Sequence, residues 1–192
     1  MNNENLLINV IWPFKKTSIL IKNIALVFFG TFLITISAKI QVPFWPVPMT
    51  MQTFAVLIIA MAYGWKLSVI TLALYLIEGA MGIPVFAKGG GYTYLIGPTS
   101  GYLYGMLIAS GVVGFFGDKG YGKNILTCLI PLCLGSIIIF VLGVGYLASL
   151  IGLEKAIQGG LLPFIPSEFF KIALAAILIP MLWTLFKKNN LN

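Results

Sequence analysis

Six apolar runs, at about residues 18–38, 49–64, 67–83, 98–117, 124–150 and 166–186, are separated only by short stretches marked with Gly, Pro or Lys. A hydrocarbon core of about 30 Å takes about 20 apolar residues as helix, so the runs predict six transmembrane helices. The second and third are joined only by "YGWK", which makes them a tight helical hairpin. Composition agrees: 59% of the 192 residues are hydrophobic and 9% charged, where a soluble domain is about half apolar and about a quarter charged. No polar stretch is long enough for a second domain, and no internal repeat is visible. The first run is too long for the apolar core of a signal peptide and no small-x-small site follows it, so it reads as a retained span. The expected fold is an all-α membrane protein, with an N-terminal segment over 1–17 and a six-helix transmembrane domain over 18–188.

Six spans place both termini on one side. The chain has twelve lysines, no arginine and five acids, for a net charge of +7. Lys15, Lys16, Lys22, Lys66, Lys119, Lys123, Lys187 and Lys188 fall on the side of the termini, Lys39, Lys88 and Lys155 on the other, and Lys171 just inside the last run. The positive-inside rule makes the termini and the 1–17 segment cytoplasmic. These lysines are neither clustered nor interleaved with aromatics, so nucleic acid is not an expected partner; the lipid bilayer is. Cys128 and Cys133, inside the fifth run, read as small buried hydrophobes rather than a CxxC site.

The outer connections differ from the inner ones. "KIQVPFWPVP", "GIPVFAKGGGYTYLIGP" and "GLEKAIQGGLLPFIP" combine Pro with aromatic or large apolar residues, the last two adding Gly, whereas "YGWK" and "FGDKGYGK" are short turns with lysine anchors. An interfacial aromatic belt accounts for Trp12, Trp65 and Trp183, less easily for three Pro-rich loops on one face. Shaped loops on a rigid scaffold commonly carry function, so a site open to the outside is expected there.

Five polar residues fall near the outer ends of the runs: Gln52, Glu78, Lys88, Glu168 and Lys171. Each alone reads as a snorkelling or helix-end group. Glu168 and Lys171, three apart, share one helix face; the helix dipole favours the carboxylate in a first turn but not the ammonium. With Trp45, Phe86, Tyr92, Tyr94 and Tyr102 the five make a mostly apolar pocket with a few placed polar groups, the usual make-up of a small-molecule site. A carboxylate beside an ammonium suits a neutral group that donates on one edge and accepts on the other, such as a urea or amide.

Other chemistries fit poorly. "KGGGYTYLIG" lacks the Gly-Lys-Ser/Thr ending of a phosphate-binding loop, so no ATP hydrolysis by this chain is expected. Without histidine, Ser-His triads and zinc hydrolysis as usually built are excluded, and no metal or cofactor is expected. Ser167 and Lys171 have the i, i+4 spacing of a Ser–Lys dyad, but nothing marks an oxyanion hole. A membrane-embedded transferase would need a nucleophile or an acidic metal cluster that five scattered acids do not supply.

At "VPFWPVPMTMQTFAVLI", "YLIEGAMGIPVFAKGG" and "GPTSGYLYGM" the chain resembles the BioY family of biotin transporters, in order from about residue 38 to about 180. The resemblance implies a six-helix substrate-binding S component of an energy-coupling-factor transporter in the bacterial cell (inner) membrane. It binds biotin from outside, with a transmembrane coupling subunit and two ATPases as partners; a subunit for another small vitamin is the alternative. The family's sixth span tends to open with P-F-x-P-G-D-x-x-K, so Glu168 and Lys171 stand at its ligand-contact positions. Here Ser167-Glu168 replaces Gly-Asp, lengthening the carboxylate by one methylene, and a lysine such as Lys88 must stand in for any arginine at the biotin carboxylate. The family's first span tends to show Ala-x-x-x-Ala for docking of the coupling partner; that pattern has no clean match here, Ala25 and Gly30, five apart, being the nearest small residues.

Overall fold

The computed structural model describes residues 6–12 and 19–189, the last three by their backbone alone. Most of the 1–17 segment, with Lys15 and Lys16, and the side chains of Lys187 and Lys188 lie outside the described residues. A short helix α1 (Leu7–Ile11) precedes α2 (Ile19–Lys39), and a two-stranded antiparallel hairpin, β1 (Gln41–Val42) with β2 (Met49–Thr50), pairs Gln41 with Thr50 and Val42 with Met49. Helices α3 (Gln52–Tyr63), α4 (Trp65–Ala80), α5 (Ser100–Asp118), α6 (Ile125–Ile151), α7 (Leu153–Gly160) and α8 (Ile165–Asn189) follow. A 3-10 turn over Tyr92–Ile96 lies in the loop between α4 and α5.

The six apolar runs all form helices, but of unequal reach. Among the described residues, four stretches are long and apolar enough to cross a membrane: α2, α5, α6 and Leu153–Phe186, which joins α7 to α8. Helix α3 has 12 residues and α4 has 16, about 18 and 24 Å of helix at 1.5 Å per residue. Gly64, at φ 79°, ends α3 and begins α4 in a conformation that favours glycine. The hairpin takes up the chain that would have extended α3 at its other end. Helix α3 is therefore buried nearly all round, and its first turn lies inside the fold.

Large apolar side chains cover the outside. Phe28, Phe32, Ile137, Val141 and Ile177 are all more than half exposed, a surface that water would not tolerate over so wide an area but lipid does. Inside, α5 and α6 approach through small residues, as membrane helices commonly do. A Cβ on Gly101 would meet the carbonyl of Leu142, one on Gly105 the backbone of Ile139, and one on Gly143 the ring of Tyr102.

Gly30, Cys133 and Lys22 each take a definite place, and the expectation that Cys133 is buried is corrected. Gly30 faces inward, where a Cβ would strike Thr71, so it is part of the α2–α4 contact and not of an outer docking surface; Ala25 is exposed. Cys128 is buried as expected, but Cys133 is exposed on the outer side of α6. Lys22, on the side of the termini, is buried and donates to Asn9 Oδ1 at 3.1 Å and to the carbonyl of Trp12, tying α1 to the start of α2.

The close α5–α6 approach gives a test of the packing. Gly105→Val would bring a Cβ to 2.9 Å from Ile139 Cα, and such overpacking costs about 1–3 kcal/mol. Its melting temperature in detergent is expected to fall. Gly145→Ala, where nothing lies within 4 Å, is expected to leave it unchanged or raise it slightly, since Ala is the better helix former.

Candidate ligand-binding site

The first turns of α3, α5 and α8 converge at one end of the bundle around a small cavity, partly open to solvent. Thr50, Gln52 and Thr53 come from β2 and α3; Thr99, Tyr102, Leu103 and Met106 from the start of α5; Phe140 from α6; and Phe164, Glu168 and Lys171 from the start of α8. Val47 and Pro48 close one side, and Phe86, Ala87 and Tyr94, from the α4–α5 loop, another.

Glu168 and Lys171 form the polar part of the wall. Both are buried, at 5% and 7% exposure. Lys171 Nζ donates to Glu168 Oε1 at 2.6 Å, to the Thr50 carbonyl at 2.7 Å and to Thr53 Oγ1 at 3.2 Å. Those three bonds use all three ammonium protons. Thr53 Oγ1 in turn donates to Glu168 Oε1 at 2.7 Å, and Ser136 Oγ on α6 to Oε2 at 3.3 Å. A buried ion pair persists only when its remaining hydrogen-bonding capacity is met, and here α3, α6 and α8 each supply a part. Glu168 Oε2, with one long bond, keeps room for another donor.

Gln52 donates its amide N–H to Tyr75 OH at 3.0 Å, and Tyr75 donates to the Val85 carbonyl at 3.0 Å. Lys39 Nζ donates to the Phe86 carbonyl at 2.6 Å and Gln41 Nε2 to that of Ala87 at 3.1 Å. Three successive carbonyls of the α4–α5 loop are thus held from outside the loop. Phe86 packs edge-on against Tyr75 and stacks on Tyr94 with centroids 4.8 Å apart. Its ring lies where a Cβ on Gly79 would be, so that glycine lets the ring in. Tyr102 rests over Gly143 and donates to the Gly160 carbonyl at 2.7 Å, joining α5 to α7.

Six residues singled out in the sequence therefore line the cavity: Gln52, Phe86, Tyr94, Tyr102, Glu168 and Lys171. Four do not. Trp45 and Tyr92 are 78% and 69% exposed. Lys88 is exposed, although its neighbour Ala87 lines the cavity. Glu78 turns toward α2, where Thr31 Oγ1 donates to it at 3.4 Å. The sequence reading missed Thr53 and Ser136, which hold the carboxylate, and Met106, Phe140 and Phe164, whose apolar identity says nothing of which face they occupy.

Membrane-length helices closing around a mostly apolar cavity with one neutralised ion pair define a helical membrane protein with a pocket at one end of the bundle. The chain belongs to the BioY family, whose model matches residues 9–188. It is 38% identical over 159 residues to the probable biotin transporter BioY of Pyrococcus horikoshii, covering 82% of this chain and 93% of that one. With the probable biotin transporter BioY of Rickettsia prowazekii it is 33% identical over 184 residues, covering 95% of this chain and 94% of that one. It is also similar to the crystal structure of the S-component for biotin from an ECF-type ABC transporter, at TM-score 0.75 and 27% identity, over 86% of this chain and 92% of that one.

The ion pair sets a stability test. Lys171→Ala leaves a buried carboxylate without its partner, which typically costs about 3–5 kcal/mol. The double variant Glu168→Gln with Lys171→Met removes both charges at similar bulk, and its loss is expected to be the smaller. Thermal unfolding in one detergent compares the two.

Proposed function

We propose that this chain is the biotin-binding S component of an energy-coupling-factor transporter. In this reading it is not an enzyme: it captures biotin at the outer face and relies on a transmembrane coupling subunit and two ATPases for uphill uptake. The observation that carries the reading is the chemistry of the cavity in a chain whose relatives are named biotin transporters. Biotin has a ureido ring with two N–H donors and a carbonyl, an apolar thioether ring, and a carboxylate tail. Glu168 Oε2 and the amide oxygen of Gln52 are acceptors for the ureido N–H groups. The hydroxyls of Tyr94 and Thr99, which make no hydrogen bond among the described residues, are donors for its carbonyl. Phe86, Met106, Phe140 and Phe164 supply apolar surface for the sulfur-bearing ring. Lys171 acts by holding Glu168 in place. Glu78, Lys88, Trp45 and Tyr92 are left out of the proposed site because they lie off its wall.

The proposal extends to topology. All six helices α2, α3, α4, α5, α6 and α8 span a bacterial cell membrane, with both termini and the 1–17 segment cytoplasmic. The short α3 and α4 reach across because the hairpin and the α4–α5 loop occupy the remaining thickness on the cavity side. The lysine distribution supports this orientation.

Two experiments test these readings. Purified protein in detergent is expected to retain radiolabelled biotin, and Glu168→Gln to weaken equilibrium binding about 10- to 100-fold, the loss of one charge-assisted hydrogen bond. No retention by wild-type protein, or an unchanged affinity in a folded Glu168→Gln variant, would contradict the proposed site. For topology, Lys88→Cys and Lys119→Cys, both exposed positions, are placed separately in a background lacking Cys128 and Cys133. An impermeant maleimide is expected to label the first on intact cells and the second only after permeabilisation; the reverse pattern would invert the orientation.

A further inference from the structure

The end of the bundle opposite the cavity carries a basic pair that the proposed function leaves unused. Helix α5 ends and α4 begins there, held together: Asp118 Oδ2 accepts from the Trp65 N–H at 3.1 Å, and a Cβ on Gly114 would meet the Trp65 backbone at 2.6 Å. Lys66 and Lys119, one residue beyond each partner of that bond, are thereby set side by side, both exposed. Each lies over an aromatic ring, Lys66 over Trp65 at 5.6 Å and Lys119 over Phe115 at 4.3 Å. Among the described residues, neither ammonium donates a hydrogen bond or pairs with a carboxylate. We propose that this patch seats an anionic phospholipid, with its phosphate between Lys66 and Lys119 and an acyl chain along the exposed α4–α5 flank.

Charge selects the headgroup. Asp118 is the one acid at this end among the described residues, and it caps the first N–H of α4, where a carboxylate also offsets the helix dipole. No ion pair joins it to Lys66 or Lys119. A zwitterionic lipid would bring its own cation against the two lysines, whereas an anionic phosphodiester brings none. The other lysines described at this end are placed elsewhere: Lys22 is buried against Asn9 and Trp12, and Lys123 lies over Trp183 of α8 at 5.2 Å. Shape selects a lipid over a free anion. Trp65 and Phe115 are 46% and 48% exposed, so each ring supports an ammonium and still offers apolar surface. Ile108, Gly111 and Phe115 recur on one face of α5. Gly111 leaves a shallow groove between the exposed Ile108 and Phe115, floored by Val69 of α4, which a Cβ on Gly111 would meet at 3.3 Å. The groove starts at the lysine pair and runs along the helices, the direction an acyl chain takes.

The test is thermal unfolding of the purified full chain in a neutral detergent, with added phosphatidylglycerol or phosphatidylcholine carrying the same acyl chains. Phosphatidylglycerol is expected to raise the melting temperature by about 3 °C or more beyond phosphatidylcholine. Lys66→Gln with Lys119→Gln is expected to lose more than about half of that difference, and the charge-keeping pair Lys66→Arg with Lys119→Arg to retain it. If the Gln pair does not fold, salt decides on the wild-type chain: about 1 M NaCl cuts the screening length to about 3 Å and is expected to remove most of the difference. Equal shifts from the two lipids would overturn the proposal. So would a difference that survives in the Gln pair, is lost in the Arg pair or persists at high salt. A shift of the same size from glycerophosphoglycerol, the headgroup without its chains, would overturn it as well, by showing a site for a free anion.

Discussion

An ammonium and a carboxylate buried in an apolar bundle are costly unless every bond they can make is made, and that requirement organises the cavity end of this fold. Lys171 and Glu168 sit one turn apart on α8, but neither is satisfied by α8. The carbonyl of Thr50 closes the hairpin onto the ammonium, Thr53 brings in the first turn of α3, and Ser136 brings in the middle of α6. Three helices and the hairpin are thereby fixed relative to one another by a single polar cluster. An incoming ligand meets an acceptor already oriented, so little of its binding energy goes into reorganising the site.

The opposite wall is fixed by a different device. The α4–α5 loop closes on itself through the Phe86–Gly89 backbone pair and is held besides by side chains from elsewhere: Tyr75 on Val85, Lys39 on Phe86 and Gln41 on Ala87. Phe86 is then wedged between Tyr75 and Tyr94 over the bare backbone of Gly79. Lys39, placed at the outer end of α2 by the charge count, is thus a clamp on the loop.

The helices were legible because twenty apolar residues in a row leave few alternatives, and the i, i+3 spacing of Glu168 and Lys171 identified the ion pair. What the sequence did not show is orientation about an axis. Tyr92 and Tyr94 lie in a 3-10 turn with three residues per turn, so positions two apart point to different sides; Tyr94 lines the cavity and Tyr92 does not. Glu78 ends an apolar run at its outer end, yet its face belongs to α2. Ser136 and Thr53 gave no signal because hydroxyls in apolar helices usually bond their own preceding turn. Thr35, Ser37, Thr71 and Thr184 all do so here, while Thr53 and Ser136 reach Glu168 instead. The shortness of α3 was also hidden, since hairpin residues as apolar as Met49 and Met51 read as a continuation of the helix.

The central claim is that Glu168, held by Lys171, is the polar contact for the ureido ring. It is tested most directly by a structure of the protein with biotin bound. The account predicts a ureido nitrogen within hydrogen-bonding distance of Glu168 Oε2, with Lys171 still on Glu168 and Thr50. A ureido ring remote from Glu168, or Lys171 swung away to hold the ligand carboxylate, would contradict it.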